Sequence, residues 1–174
     1  MIIRGTTEAD WHTLKSIRLA SLRDAPTAFG VTQASAAANT DAQWRDRAAN
    51  RGPAQFQLAF IDGEAVGLAG SVVSEAQELN LIAMWVAPAH RGSGAAAGLV
   101  AAVKARALAE GHAHLVLDVS PDNARAAAFY LKQGFVFLDA WEPLASHPHI
   151  AVQKMAWAST AIETATPAVT GEAG

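Results

Sequence analysis

The chain has 174 residues, 51% of them hydrophobic, and carries a formal net charge of −3, which suits one domain with a single core. Its nearly balanced charge excludes the strong field that would attract nucleic acid or anionic lipid, and the absence of cysteine excludes disulfides, thiolate metal sites and a cysteine nucleophile. Because no apolar run is long enough for a membrane span or a signal peptide, we expect a cytoplasmic protein with no nucleic-acid or membrane partner.

The first half of the chain predicts a strand, two helices and a hairpin. Thr7 is a favourable helix cap, the residues after it are apolar at helical spacing, and Pro26 ends that helix. Asp62 and Gly63 form a two-residue turn between two strand-like segments. The predicted elements are a strand at 1–4, a helix after Thr7, a loop at 24–30, a polar helix near 41–49, and strands at 56–61 and 64–73.

The second half of the chain predicts alternating strands and helices. The segment 79–86 is apolar at nearly every position and stops before Pro88, which is typical of a mid-sheet strand covered on both faces. The tail at 158–174 is small, polar and aperiodic, so we expect it outside the domain at 1–157; a second subunit in a homodimer is one way to order it. The elements predicted after residue 86 are a helix at about 94–110, a strand at 115–119, a helix at about 123–133, and strands at 135–138 and 150–157.

The segment after the buried strand has the character of a phosphate-binding loop. Small residues let backbone N–H groups approach an anion closely, and the start of a helix adds a partial positive charge. Two other phosphate motifs do not fit: no lysine follows the glycines before Lys104, as a P-loop requires, and the glycines are out of register with a dinucleotide fingerprint. The residues of the predicted loop are Arg91, Gly92, Ser93, Gly94, Ala95 and Ala96.

These six residues match the pyrophosphate-binding pattern Arg/Gln-x-x-Gly-x-Gly/Ala, and the chain therefore resembles the GNAT acyltransferase superfamily. The segment 81–88, which ends Met-Trp-Val-Ala-Pro, is similar to the strand that precedes this loop in the superfamily. The resemblance covers roughly residues 1–157. A second signature downstream is carried by Asn123, Ala127, Tyr130, Gly134 and Phe135.

The resemblance implies a fold, a cofactor and a reaction. The implied fold is α/β (α+β), with a mixed sheet of about six or seven strands, splayed between the fourth and fifth strands and flanked by about four helices. Acetyl-CoA, or another acyl-CoA, would place its pantetheine arm in the splay against backbone groups of Trp85 and Val86, as though it were another strand. The implied reaction is N-acetyl transfer to a primary amine without a metal.

Tyr130 is the predicted general acid, and it also belongs to the predicted cofactor site together with Asn123. The two residues are seven positions apart, so both side chains project from one face of one helix. As the only tyrosine of the chain, Tyr130 offers a phenol that can protonate the departing CoA thiolate. Asn123 is in addition a favourable helix cap, and the two roles are compatible.

The acceptor amine must lose a proton, so a carboxylate or a histidine acting through water is expected. Glu78, at the start of the buried strand, is the first choice of catalytic base, and Glu75 and Asp118 are alternatives. His147 and His149 lie in a predicted loop, where two histidines alone make a poor metal site, so we expect no metal.

The acceptor is expected opposite the cofactor. Phe29, Trp85 and Trp141 are its candidate apolar contacts, and core packing is the alternative for each. Three functions fit these residues: acetyl transfer to a small-molecule amine; acyl transfer to a protein or peptide, or of a longer acyl group from CoA or a carrier protein; and a non-catalytic acyl-CoA sensor. The expected walls of the acceptor site are the segments 24–30, 79–86 and 139–149.

Overall fold

The computed structural model describes residues 1–160, which form one sheet of seven strands with helices on both faces. The predicted tail at 158–174 thus lies outside the described residues from 161 onward. The strands are β1 Ile2–Gly5, β2 Ala54–Ile61, β3 Glu64–Val73, β4 Leu79–Val86, β5 His114–Val119, β6 Val136–Leu144 and β7 His147–Ala158. The α-helices are α1 Trp11–Asp24, α2 Gln33–Ala37, α3 Asp41–Ala48, α4 Ala95–Ala109 and α5 Ala124–Lys132.

The sheet opens between β4 and β5, near its middle. Its strand order is β1-β2-β3-β4-β5-β7-β6, and within residues 1–160 the pair β4–β5 is the parallel one, the other pairs being antiparallel. A single residue pair, Asn80 with Val116, joins these two strands. The edge of β4 beyond Asn80 therefore has no β5 partner, which confirms the predicted mixed sheet and its splay.

The side chains of β4 change from one face of the sheet to the other at Ala83. This residue has φ +56°, and the pairing with β3 shifts at this position, which is a β-bulge. Before the bulge, Leu79 and Leu81 pack in the core with α4; after it, Trp85 packs in the core with α1 and α3. Because an extra residue reverses the alternation of side chains, the two cores are both reached from one short strand.

Two differences from the predicted elements lie at the sheet edge and in the loop after α1. The segment 139–149 is strand over most of its length, and His147 and His149 begin β7 instead of lying in a loop. The reason is that β6 is an exposed edge strand, so it lacks the apolar alternation from which strands are predicted. The short helix α2 was also not predicted. None of the helices in residues 1–160 has the length and apolar character needed to cross a membrane.

Candidate active site

A cavity of about 890 Å³ lies at the place where β4 and β5 separate. Residues of both strands line it, together with one face of α5, the loop after α1 and the tip of the β6–β7 hairpin. Ser146, at the hairpin tip, donates its hydroxyl to the backbone carbonyl of Phe29, so the hairpin and the loop are joined over the cavity. The three segments expected from the sequence as acceptor walls all contribute to this lining.

Asn123 and Tyr130 both line the cavity from α5, and Ala126 lies between them. Asn123 caps the helix, since its Oδ1 accepts the N–H of Ala126 at 3.2 Å. The ring of Tyr130 makes edge contacts with Phe129 and Phe135 at centroid distances of 5.2 and 5.7 Å. Burial raises the pKa of the Tyr130 phenol, so this group is a protonated donor at neutral pH.

The loop before α4 has the conformation that only glycine adopts without strain. Gly92 and Gly94 have φ of +86° and +88°, and Gly94 is the N-cap of the helix. Ser93 Oγ accepts the N–H of Ala95 at 3.3 Å, whereas other N–H groups of the first turn have no partner within the helix. A Cβ placed on Gly92 would meet no atom within 4 Å, so the loop is open to an anion.

The side chain of Arg91 is bound by other residues of the chain. Its Nη2 lies 2.6 Å from Asp24 Oδ2, and its Nε donates to the carbonyl of Val86 at 3.1 Å. The indole Nε1 of Trp85 donates to the same Asp24 oxygen at 2.8 Å. Asp24 at the end of α1 therefore fixes both the loop and the end of β4, and Arg91 positions the loop through its side chain.

Four charged side chains form a cluster, three of them on β5, β6 and β7 and the fourth at the residue before β4. Glu78 Oε2 forms an ion pair with Lys154 Nζ at 2.7 Å, and Lys154 lies opposite Asp118 in the β5–β7 register. Asp118 and Glu142 line the cavity. Burial, followed by the carboxylate of Glu142, raises the pKa of Asp118 to about 6. A carboxyl group of this pKa is ionised at neutral pH and basic enough to accept a proton through water.

The family model described as acetyltransferase (GNAT) family matches residues 17–135. The chain belongs to this family. The matched range contains the loop before α4, the splayed strands and the whole of α5.

Other proteins are similar to this chain in sequence or in fold. An uncharacterized N-acetyltransferase of Mycobacterium bovis is 36% identical over 74 residues, which are 42% of this chain and 47% of the relative, so the match spans about half of that relative's length. A ribosomal-protein-alanine N-acetyltransferase from Brucella melitensis shares the fold with a TM-score of 0.71 at 22% identity, covering 91% of this chain and 99% of that one. The protein yncA from Salmonella typhimurium, solved with its cofactor acetyl-CoA, has a TM-score of 0.68 at 18% identity, covering 91% and 93%.

The three aromatic residues predicted to contact the acceptor of this GNAT protein have different positions. Phe29 lines the cavity. Trp85 does not, because the bulge at Ala83 directs its indole into the core against α1, where it is 9% exposed. Trp141 lies on the outer strand β6 and is 54% exposed, away from the cavity wall. Trp85 and Trp141 thus do not line this cavity, and a contact of any of the three residues with an acceptor stays a prediction.

The candidate base and the histidines also have positions that the sequence did not predict. Glu78 is engaged by Lys154 and does not line the cavity, whereas Asp118, the weaker sequence candidate, does. The rings of His147 and His149 are 5.9 Å apart, and His147 Nδ1 lies 2.9 Å from Ser146 Oγ. Among residues 1–160, no three histidine, aspartate or glutamate side chains are grouped as metal ligands would be.

Sequence reasoning missed Arg18 and Glu142, which both line the cavity. For Arg18 a signal was present: it lies one helical turn from Leu14 and from Leu22, which are both buried, so a cation occupies the apolar face of α1. Glu142 gave no signal because it lies on an exposed edge strand.

Proposed function

We propose that this GNAT protein is an N-acetyltransferase that moves the acetyl group of acetyl-CoA directly to a primary amine of a small molecule. The observation that carries the proposal is the placement of a proton donor and a proton acceptor around one cavity. Tyr130 lines it from α5, and Asp118 lines it from the end of β5. The splay of the sheet lies between them and leaves an edge of β4 without a partner strand.

The described residues fit acetyl-CoA in two places. The backbone N–H groups of Gly92, Gly94 and Ala96 at the start of α4 would hold the pyrophosphate, whereas those of Ser93 and Ala95 donate to the carbonyl of His90 and to Ser93 Oγ. The unpaired edge of β4 up to Trp85 and Val86 would bind the pantetheine amides through backbone groups, and Asn123 borders this cleft. The thioester supplies an acyl carbon with a good leaving group.

The chemistry requires one proton to leave the amine and one to reach the sulfur. Asp118, whose pKa is about 6, takes a proton from the ammonium form of the acceptor, either directly or through water. The amine nitrogen then bonds to the acyl carbon, the carbon–sulfur bond breaks, and Tyr130 donates its phenolic proton to the sulfur. The proton that the nitrogen loses on amide formation restores the phenol, and Asp118 releases the proton it accepted to solvent, so that one ammonium and one thioester give one amide, one CoA thiol and one proton.

A loop and a hairpin that meet at the acceptor side of the cavity favour a small acceptor. The loop around Phe29 and the tip of the β6–β7 hairpin meet through the Ser146 hydrogen bond, and Ala145 Cβ lies 3.8 Å from the Cβ position of Gly30. A polypeptide acceptor needs an open groove for the residues that follow its amino group. A small amine fits into the cavity beside the contact between the loop and the hairpin.

The test compares small amines with short peptides that carry a free amino terminus or a lysine. Release of CoA thiol is measured together with the mass of the product. Acetylation of a small amine, with peptides turned over at least about tenfold less efficiently, is the expected result. Efficient acetylation of peptides would assign the protein to the peptide class, and a longer acyl-CoA used in preference to acetyl-CoA would change the donor.

A further inference from the structure

Arg18 lies at the junction of two cavities on the acceptor side. It lines the cavity of about 890 Å³ and also a second one of about 330 Å³, whose wall includes Trp44 and Arg47. Its Cζ lies 4.7 Å from the centre of the Phe29 ring, so the loop after α1 supports the guanidinium. The position is therefore defined by packing on an aromatic ring.

Arg18 has no acidic partner in residues 1–160, because none of the ion pairs found there includes it. Its Nη1 lies 3.4 Å from Ser21 Oγ, which is long for a hydrogen bond. Burial, followed by the nearby positive charge of Arg47, lowers the pKa of Arg18 to about 10. The guanidinium remains charged at neutral pH, and its charged neighbour is another cation.

Arg47 adds a second cation, and it takes part in none of the ion pairs found in residues 1–160. Its Nη2 donates to Asn39 Oδ1 at 3.1 Å, and its Cζ lies 5.1 Å from the Trp44 ring centre. Arg47 Nη1 is buried and has no hydrogen-bond partner within the described part of the chain. Bringing two cations together in a partly buried place opposes folding unless a negative charge joins them, so the arrangement indicates an anionic ligand group.

The larger cavity is lined by charges of both signs. Arg18 lines it from α1, whereas Asp118 and Glu142 line it from β5 and β6. An acceptor whose amine is its one charged group would be matched by the carboxylates and would leave Arg18 without a counter-charge.

We propose that the acceptor is a zwitterion, a small primary amine that also carries a carboxylate, with the amine directed to Asp118 and the carboxylate bound by Arg18. This inference rests on the proposed acetyl transfer and names its substrate class. A guanidinium suits a carboxylate because its planar donors match the two oxygens. Arg47 increases the positive potential behind this contact.

The test uses ω-amino carboxylic acids of increasing chain length, each paired with its carboxamide. The two members of a pair have the same amine and the same length and differ in the charge at the other end. We expect kcat/KM for the best carboxylate to exceed that of its amide by about 10- to 100-fold, as for loss of a charged hydrogen bond. Arg18→Gln should lower kcat/KM for the acid more than for its amide, so that the preference disappears, and Arg18→Lys should retain part of the preference.

Arg23→Gln is the matched control, because Arg23 is an exposed residue of the same helix and does not line the cavity. It should leave the preference unchanged. Equal kcat/KM for acids and amides in the wild-type protein would overturn the inference and leave acetyl transfer intact. Absence of turnover with every amine would overturn the proposed function instead. Calorimetry then decides the inference separately: equal affinity of wild-type and Arg18→Gln protein for every acid of the series would refute it.

Discussion

Tyr130 is the proposed proton donor, and its surroundings keep its phenol protonated. Its phenol is packed against Phe129 and Phe135, and burial raises its pKa, so it stays protonated over the working pH range. Tyr130→Phe should lower kcat by about 10²-fold and leave the KM for acetyl-CoA nearly unchanged. Since the phenol does not titrate in the accessible range, the ratio of wild-type to variant kcat should be constant from neutral to alkaline pH. A folded variant with the wild-type kcat, where chemistry limits turnover, would show that the acid is elsewhere.

If Asp118 is the catalytic base, its ionisation sets the acid limb of the profile of activity against pH. As a base it must be ionised, so activity should fall as the pH drops through about 6, the pKa to which burial and Glu142 raise it. Asp118→Asn should lower kcat by about 10² to 10⁴-fold and remove this limb. Glu78→Gln should retain activity at pH 8 and move the limb to lower pH, because Glu78 also raises this pKa. Loss of activity in Glu78→Gln alone would make Glu78 the base.

Thermal unfolding separates a catalytic effect of Asp118→Asn from damage to the fold. The folded-state pKa of Asp118 lies above its ordinary value, so ionisation opposes folding. This penalty is fully present above about pH 6 and disappears below the unfolded pKa near about 4. At pH 8, the unfolding temperature of Asp118→Asn should therefore be no lower than that of the wild-type protein. A marked fall in its unfolding temperature would indicate a structural role.

At the scale of elements, the loop before α4 tests the assignment of the cofactor site. Gly94 has φ +88° and Gly111, at the other end of α4, has φ +84°, and neither has a close neighbour for an added Cβ. Alanine at either position should lower the free energy of unfolding by about 1 to 2 kcal/mol, since the alanine would have to adopt a left-handed backbone conformation. Only Gly94→Ala should also weaken CoA binding, and Gly94→Asp should weaken it by at least about tenfold through charge. Calorimetry with equal CoA affinity in folded Gly94→Asp and wild-type protein would refute the site.

The sequence predicted elements well where side-chain patterns are regular. The hairpin at Asp62–Gly63, the buried strand β4 and the capped helix α5 follow from turn residues, apolar runs and an N-cap. The bulge at Ala83 was not predictable, because a strand that is apolar at nearly every position has the same pattern with or without a change of face. That change explains why Trp85 is in the core. Ion pairs such as Glu78–Lys154 depend on strand register, which composition does not reveal.

At the scale of the whole molecule, the sheet has one core on each of its two faces. The core with α4 and α5 supports the loop at Gly92 and the phenol of Tyr130, and the core with α1 to α3 supports Arg18 and the loop at Phe29. Tyr130, Arg18 and Phe29 all line the cavity at the splay between β4 and β5. The proposed phosphate loop has a recognisable sequence pattern. The proposed acceptor site depends on long-range contacts, such as Ser146 with Phe29, and no local pattern indicates them.

The most direct test of acetyl transfer is the mass of protein and product from a single turnover with isotopically labelled acetyl-CoA. Protein is mixed with labelled acetyl-CoA, first alone and then with a reactive amine. Direct transfer predicts an unchanged protein mass in the first mixture, and label recovered in N-acetyl product equal to the CoA thiol released in the second. Label that is recovered on the protein, or CoA that binds without any transfer to an amine, would contradict the account.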